Sequence, residues 1–121
     1  MLRKASQMAM TPEGKVKQVV GRKLKQLGAY YFFPATGGYG RSGVPDIIGC
    51  LDGMFFGIEC KAGKNRPTQL QVKNLRDIKK AGGVAMVVNE DNAHDVGSAL
   101  KRSILLTFLD KKQRRNNDED V

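Results

Sequence analysis

Three ionisable residues stand in a largely apolar stretch of this sequence. Residues 43–63 read GVPDIIGCLDGMFFGIECKAG, with Asp46 near the start and Glu59 and Lys61 near the end. Ionised side chains are rarely buried unless they are paired or bind another group. Two carboxylates and an ammonium group in a segment that resembles protein core therefore call for a chemical role.

The alternation of side chains along a β-strand predicts that these three residues converge. A hairpin of strands 44–51 and 54–61, joined by an Asp-Gly turn, puts Glu59 and Lys61 on one face of its second strand. Asp46 lies in the first strand, roughly opposite the other two if the turn is tight. We therefore expect both carboxylates and the lysine to meet at one end of the hairpin.

A divalent cation would remove the repulsion between the two carboxylates. Mg²⁺ prefers oxygen ligands, takes one or two carboxylates and keeps several water molecules. Asp46, one oxygen of Glu59 and the backbone carbonyl of Cys60 suit that demand. Lys61 would then orient a metal-bound water or neutralise a phosphate, as hydrolysis of a phosphodiester requires. The plainer alternative is a salt bridge between Asp46 and Lys61 at a strand end.

The charge of the chain suggests a polyanionic partner. The 121 residues carry a net charge of +9, and segment 110–121 holds four basic and four acidic residues, so the excess belongs to residues 1–109. Nucleic acid is the commonest partner of a basic body of this size, although the charge can also serve solubility alone. The length suits one domain with a modest core.

Several protein classes are disfavoured by the sequence. It has no apolar run of about 18 residues and no apolar signal region near its start, so we expect neither a membrane protein nor a secreted one. Cys50 and Cys60 are therefore expected to be reduced small hydrophobic residues in a cytoplasmic protein. His94 is the sole histidine and no CxxC pair is present, which disfavours a zinc site.

Periodicity and turn signals predict an α/β domain in which helices flank a mixed sheet. The hairpin strands are antiparallel, and the unit from Met54 to Val88 should be a parallel crossover through a helix. The segment 104–109 can continue the last helix, form a strand or cover a partner, and residues 110–121 are predicted to be disordered. The remaining predicted elements are a helix over 11–27, a strand over 29–33, a glycine-rich loop over 35–43, a helix over 68–80, a strand over 84–88 and a helix over 93–102.

Two polar residues fall within apolar helix stripes, and one glycine interrupts a strand. Glu13 faces inward on the first helix. Gln71 lies on the inner stripe of the second helix, where it could hydrogen-bond Lys61, a water or a phosphate, or simply reach solvent at the helix start. Gly57, on the same strand face as Glu59, leaves room for a bulky group.

These residues together resemble a known nuclease family. Pro45-Asp46, followed after twelve residues by Glu59-Cys60-Lys61, resembles the motif of the PD-(D/E)xK nuclease superfamily. With Glu13 upstream and Gln71 downstream, the pattern looks like the virus-type replication-repair nuclease (VRR-NUC) domain, in its small stand-alone form from phages and bacteria. The resemblance covers about residues 11–88. The chain departs from it at Cys60, since an aliphatic residue is more usual there.

The resemblance implies a restriction-endonuclease-like core over residues 1–109 and roles for individual residues. Asp46 and Glu59 would bind Mg²⁺ or Mn²⁺ with the carbonyl of Cys60, and Lys61 would be the catalytic lysine. Glu13 would complete the acidic cluster directly or through water, and Gln71 would position the lysine or a phosphate. No organic cofactor is implied.

The family also implies a substrate. Its stand-alone members are homodimers that act on branched DNA, Holliday junctions in particular, which would suit a role in DNA repair in a bacterial or phage-infected cell. The open alternatives are a sequence-specific restriction endonuclease, an RNA-processing nuclease and a DNA-binding module without activity. Segment 104–109 and the N-terminal arm are candidate dimer surfaces. Four basic residues are predicted to contact DNA phosphates or else to be merely solvated: Arg41, Lys64, Arg66 and Lys73. Tyr39 can stack on an unpaired base or pack on its own backbone.

Overall fold

The computed structural model describes residues 10–35 and 40–119, apart from the side chain of Glu119. Tyr39 and most of the N-terminal arm lie outside the described residues, so the predictions for them stay predictions. The elements, in chain order, are α1 (Pro12–Gln26), β1 (Tyr30–Phe32), β2 (Ile47–Leu51), β3 (Met54–Cys60), α2 (Gln69–Lys80), β4 (Val84–Val88), a 3₁₀ turn (Ala93–Asp95) and α3 (Val96–Glu119).

The four strands form one mixed sheet in the order β1-β2-β3-β4. The β1–β2 and β2–β3 pairs are antiparallel, and the β3–β4 pair is parallel, with α2 as the crossover between them. This confirms the predicted α/β architecture. Asp52 and Gly53 both have positive φ (52° and 77°), as the favoured two-residue hairpin turns require.

The two faces of the sheet are covered by different helices. Alternate β3 residues such as Phe56 and Ile58 join an apolar core with α1 and α3. On the opposite face, a Cβ at Gly57 would meet the side chain of Ile78 on α2. Charged groups on the α2 face can therefore meet at the end of β3 without entering the main core. The largest fully buried residues that the helices contribute to this core are Val20, Leu24, Val96 and Leu100.

The C-terminal segment differs from its prediction. Residues 110–121 were expected to be disordered, but α3 continues through 104–109 and on to Glu119. After Gly97 the segment contains no glycine or proline, and opposite charges stand at helical spacing, with Asp110 and Arg114 paired at 3.2 Å. The mixed charges of this segment therefore support a solvent-exposed helix.

No helix among the described ranges 10–35 and 40–119 has the length and apolar content needed to cross a bilayer. Both cysteines are free thiols, with Cys60 buried in the core and Cys50 exposed on β2.

Candidate active site

The hairpin register brings the two predicted carboxylates together. Ile47 pairs with Ile58, so the preceding Asp46 lies opposite Glu59. Asp46 comes just before β2 rather than within it, and its Oδ2 accepts a hydrogen bond from the backbone N–H of Cys60 at 2.8 Å. A short-range turn thus fixes a contact between residues that are 14 positions apart in the chain.

The predicted lysine completes this cluster through an ion pair with glutamate. Lys61 Nζ lies 3.2 Å from Oε2 of Glu59, and the side chains are 12% and 2% exposed. The backbone N–H of Lys61 donates to the carbonyl of Val88 at 2.9 Å, which anchors the end of β3 to β4. The salt bridge considered from sequence paired this lysine with Asp46, whereas the structure pairs it with Glu59.

One oxygen of Glu59 is buried without a hydrogen-bond partner. Among the described residues, Oε1 of Glu59 stands out as a buried side-chain oxygen that no donor satisfies. Burial, and then the negative charge of Asp46, raise the pKa of this carboxyl from 4.5 to about 7, against the opposing effect of Lys61. A buried unsatisfied acceptor is destabilising, and the arrangement is therefore incomplete without another positive group or donor.

The carboxylate oxygens of this cluster suit a hard divalent cation as ligands. The described residues contain no group of three or more histidine, cysteine, aspartate and glutamate side chains that would form a complete metal cage. Mg²⁺ does not need one, because it binds through one or two carboxylates and keeps water molecules in its other positions. Asp46 and the partnerless oxygen of Glu59 supply that number of carboxylates.

Glu13, on α1, contacts the loop that follows the cluster. Its Oε1 accepts a hydrogen bond from the side chain of Asn65 at 3.3 Å, in the loop that follows β3. Its charge is also one of the smaller influences that raise the pKa of the Cys60 thiol to about 12, after burial and the charges of Asp46 and Glu59. The predicted supporting role of Glu13 at the two carboxylates stays a prediction.

Comparison with solved structures agrees with this arrangement. A structure described as "VRR_NUC domain" superposes on the chain with a TM-score of 0.59 and 25% sequence identity, covering 70% of this chain and 91% of that one. The chain has the VRR-NUC fold. No family model and no curated protein matches the sequence, so this family resemblance rests on the fold and the motif.

In this VRR-NUC fold, Gln71 helps to cap the N-terminus of α2. The side-chain Oε1 of Gln71 accepts a hydrogen bond from the backbone N–H of Thr68 at 2.9 Å. The backbone N–H of Gln71 donates to Oγ1 of Thr68 at 3.2 Å. This reciprocal capping box satisfies two N–H groups at the helix start. The structure therefore puts the acceptor oxygen of Gln71 on the helix cap, and a contact with Lys61 stays a prediction.

The space predicted beside Gly57 is filled by protein. A Cβ on this glycine would lie 2.7 Å from Cδ1 of Ile78 and 2.9 Å from Cγ of Pro45. The room predicted beside Gly57 is therefore occupied by the protein's own side chains, because α2 packs on this part of the sheet. The glycine allows that close packing and holds the segment before Asp46 against β3.

Two of the predicted DNA contacts share one carboxylate. Arg41 and Lys73 lie 2.9 Å and 2.8 Å from Oδ2 of Asp77, and the hydrogen bond from Lys73 is the main reason that the pKa of Asp77 is lowered. Lys64 and Arg66, in contrast, are exposed in the loop after β3. In the described part of the VRR-NUC fold, these two are the better placed of the predicted residues to meet a phosphate.

Sequence reasoning missed two residues that support the site. Asn74 is 5% exposed and donates to the carbonyls of Ser42 and Leu70 at 3.1 Å and 2.9 Å, which ties the segment before Asp46 to α2. Asn65 connects the loop after β3 to Glu13. The inward position of Asn74 on the helical stripe was a readable signal, but nothing in the loop sequence marks Asn65.

Proposed function

We propose that this protein is a metal-dependent endonuclease that hydrolyses phosphodiester bonds in branched DNA. The observation that supports this most strongly is the partnerless, buried oxygen of Glu59, beside Asp46 and Lys61 and at the end of β3 in a VRR-NUC fold. A binding module would gain nothing from two carboxylates close to DNA phosphates. A phosphodiesterase needs such carboxylates in order to hold a cation.

Each residue of the cluster has a distinct task. Asp46 and Glu59 would hold Mg²⁺ or Mn²⁺, together with the carbonyl of Cys60, and Glu13 would assist directly or through a water. The bound cation would supply a Lewis acid that polarises the phosphoryl oxygen and lowers the pKa of bound water. Lys61 would keep a positive charge at the scissile phosphate and orient the attacking water.

The charge of the body favours nucleic acid as the substrate. The net charge is +9, and the exposed Lys64 and Arg66 follow the catalytic strand by only a few residues. Phosphate contacts from lysine and arginine fix the position of DNA without reading its sequence. Such binding suits an enzyme that selects a DNA structure, such as a four-way junction.

A substrate panel tests the proposal directly. The protein is incubated with Mg²⁺, Mn²⁺ or EDTA and labelled four-way junction, flap, splayed arm, linear duplex, single strand and RNA. We expect cleavage of branched DNA that requires the cation and exceeds cleavage of linear duplex by at least about tenfold. Preference for one duplex sequence would favour a restriction enzyme, preference for RNA an RNA-processing nuclease, and binding without cleavage a non-catalytic module.

We further propose that the protein acts as a homodimer through α3. Leu105, Leu106, Phe108 and Leu109 are 42–58% exposed and lie together on the side of α3 that faces away from the core. A contiguous apolar patch of this kind marks an interaction surface. A two-fold dimer would offer two matching sites to a four-way junction, which itself has near two-fold symmetry.

Charge introduced into this patch should separate the subunits. Leu105→Lys combined with Leu109→Lys should convert a dimer into a monomer in sedimentation velocity, because two lysines would lose hydration at the interface. Leu70→Lys is the matched control, since Leu70 is a similarly exposed leucine on α2 (46%) and should leave the mass unchanged. A double variant that sediments as the wild type does would contradict this interface.

A further inference from the structure

A small cavity opens beside the loop that follows Lys61. It measures about 270 Å³, and its walls are largely apolar, with Val16 and Val19 from α1 on one side and Ala62 and Ala93 on the other. This volume is below the roughly 300–1,000 Å³ that is typical of sites for drug-sized ligands. The occupant must therefore be small, and the apolar walls favour a flat or compact apolar surface.

Two hydrogen-bond donors build this cavity by fixing the loop after β3. Asn65 donates to Glu13 on α1, and the backbone N–H of Gly63 donates to both carboxylate oxygens of Glu90, at 2.9 Å and 3.1 Å. Gly63 has φ of 58°, a conformation that glycine adopts without strain. The loop is thus held between α1 and the segment after β4, and the cavity lies beneath it.

The position of the cavity links it to the scissile phosphate. Ala62 and Gly63 follow Lys61 directly, and two residues span at most about 7 Å, so the cavity opens on the α1 side of the sheet end at which Lys61 projects to the α2 side. Exposed Lys15 and His94 also line the cavity, and a lysine there favours a neighbouring phosphate. A nucleotide adjacent to the cleaved bond could therefore put its base in the cavity and its phosphate near these side chains.

We propose that this cavity binds one unpaired nucleobase of the strand that is cut. The inference rests on the proposed nuclease function and adds a subsite to it. Apolar walls bury the faces of the base, and the base leaves its stack most easily where the duplex is already interrupted. A branch point supplies such a base and a regular linear duplex does not, so the subsite gives a physical reason for preferring branched DNA.

Glu90 gives the subsite a means of distinguishing bases. Each oxygen of its carboxylate retains acceptor capacity after the single N–H of Gly63, and a carboxylate accepts hydrogen bonds from amino groups of bases. Guanine presents two adjacent donors on its pairing edge, whereas thymine presents one. We therefore expect guanine to bind best at this position and thymine worst.

The test uses altered DNA, which leaves the protein unchanged. An abasic nucleotide is moved one step at a time across three positions on either side of the branch point of a junction. Binding is measured by fluorescence anisotropy with the Lys61→Ala variant in Mg²⁺, so that cleavage does not interfere. One abasic position should weaken binding about tenfold, and guanine there should exceed thymine by about fivefold.

Protein variants then assign this effect to the cavity. Val19→Phe should fill the cavity and remove the penalty of the abasic nucleotide, while Glu90→Gln should remove the preference for guanine. Asp91→Asn is the matched control for Glu90→Gln, because it removes the same charge from an exposed neighbour outside the cavity lining. Circular dichroism verifies that each variant is folded.

The outcomes separate this inference from the proposed function. Metal-dependent cleavage of junctions with no sensitive abasic position would overturn the subsite and leave the nuclease proposal intact. A sensitive position that Val19→Phe leaves unaffected would place the base elsewhere, which also overturns the subsite. If the protein cleaves none of the substrates yet shows one sensitive abasic position, the subsite is supported and the nuclease proposal is overturned.

Discussion

Replacing Lys61 by alanine should lower the rate of DNA cleavage by about three orders of magnitude or more, while the affinity for DNA changes little. This lysine is 12% exposed and lies 3.2 Å from Glu59, so it can reach only a phosphate that has entered the site. Asp46→Asn should have a similar effect, because the amide keeps an acceptor for the N–H of Cys60 but removes the negative charge needed by a cation.

The measurement separates chemistry from binding. Single-turnover cleavage of a labelled four-way junction gives the rate, and anisotropy of the same junction gives the affinity. Lys64→Ala is the matched control: it removes an exposed positive charge three residues away and should weaken binding and its salt dependence with little loss of rate. Normal cleavage by both Lys61→Ala and Asp46→Asn would show that this cluster is not the active site.

The parts of the site that follow from local rules could be predicted from sequence. The Asp-Gly turn sets the hairpin register, and the register alone puts Asp46 opposite Glu59. Strand alternation then fixes Lys61 on the same face as Glu59, two residues on. The antiparallel β2–β3 pair and the parallel β3–β4 pair follow in the same way from the hairpin and the helical crossover, whereas the pairing of β1 with β2 was not predicted.

The parts that depend on tertiary packing could not be predicted from sequence. Gly57 looked like an opening, because only the folded chain shows that Ile78 fills it. Gln71, in contrast, caps α2 through a local contact with Thr68, and the spacing Thr68-x-x-Gln71 is a capping-box signature that the stripe argument overlooked. The cavity beneath residues 62–65 has no sequence signature, since its walls come from α1, the loop after β3 and the segment after β4.

Glu59→Gln should make the metal-free protein more stable while making it inactive. The pKa of the Glu59 carboxyl is about 7 in the folded chain against an ordinary value of 4.5, so folding favours its protonated form. Below pH 4.5 both states are protonated and the effect is absent. As the pH rises to about 7, the unfolded chain releases the proton first, and the folded state becomes destabilised by about 3 kcal/mol. Glutamine resembles the protonated acid and avoids this loss.

Urea denaturation at pH 5 and pH 8, with and without Mg²⁺, measures these effects as free energies of unfolding. Without metal, Glu59→Gln should exceed the wild type by up to about 3 kcal/mol at pH 8 and by much less at pH 5. Mg²⁺ should stabilise the wild type at pH 8 but not the variant, because a ligand that binds only the folded state adds to its stability. Asp91→Asn, at an exposed carboxylate, should show neither effect.

The effect of Glu59→Gln on stability without metal distinguishes a metal-binding site from a structural ion pair. If Glu59 existed to stabilise the fold through Lys61, its neutral replacement would weaken the protein at every pH at which the pair is charged. If it is held ready for a cation, the fold is less stable without that cation and regains stability when it binds. A Glu59→Gln variant less stable than the wild type at pH 8 without metal would favour the structural explanation and contradict the metal site.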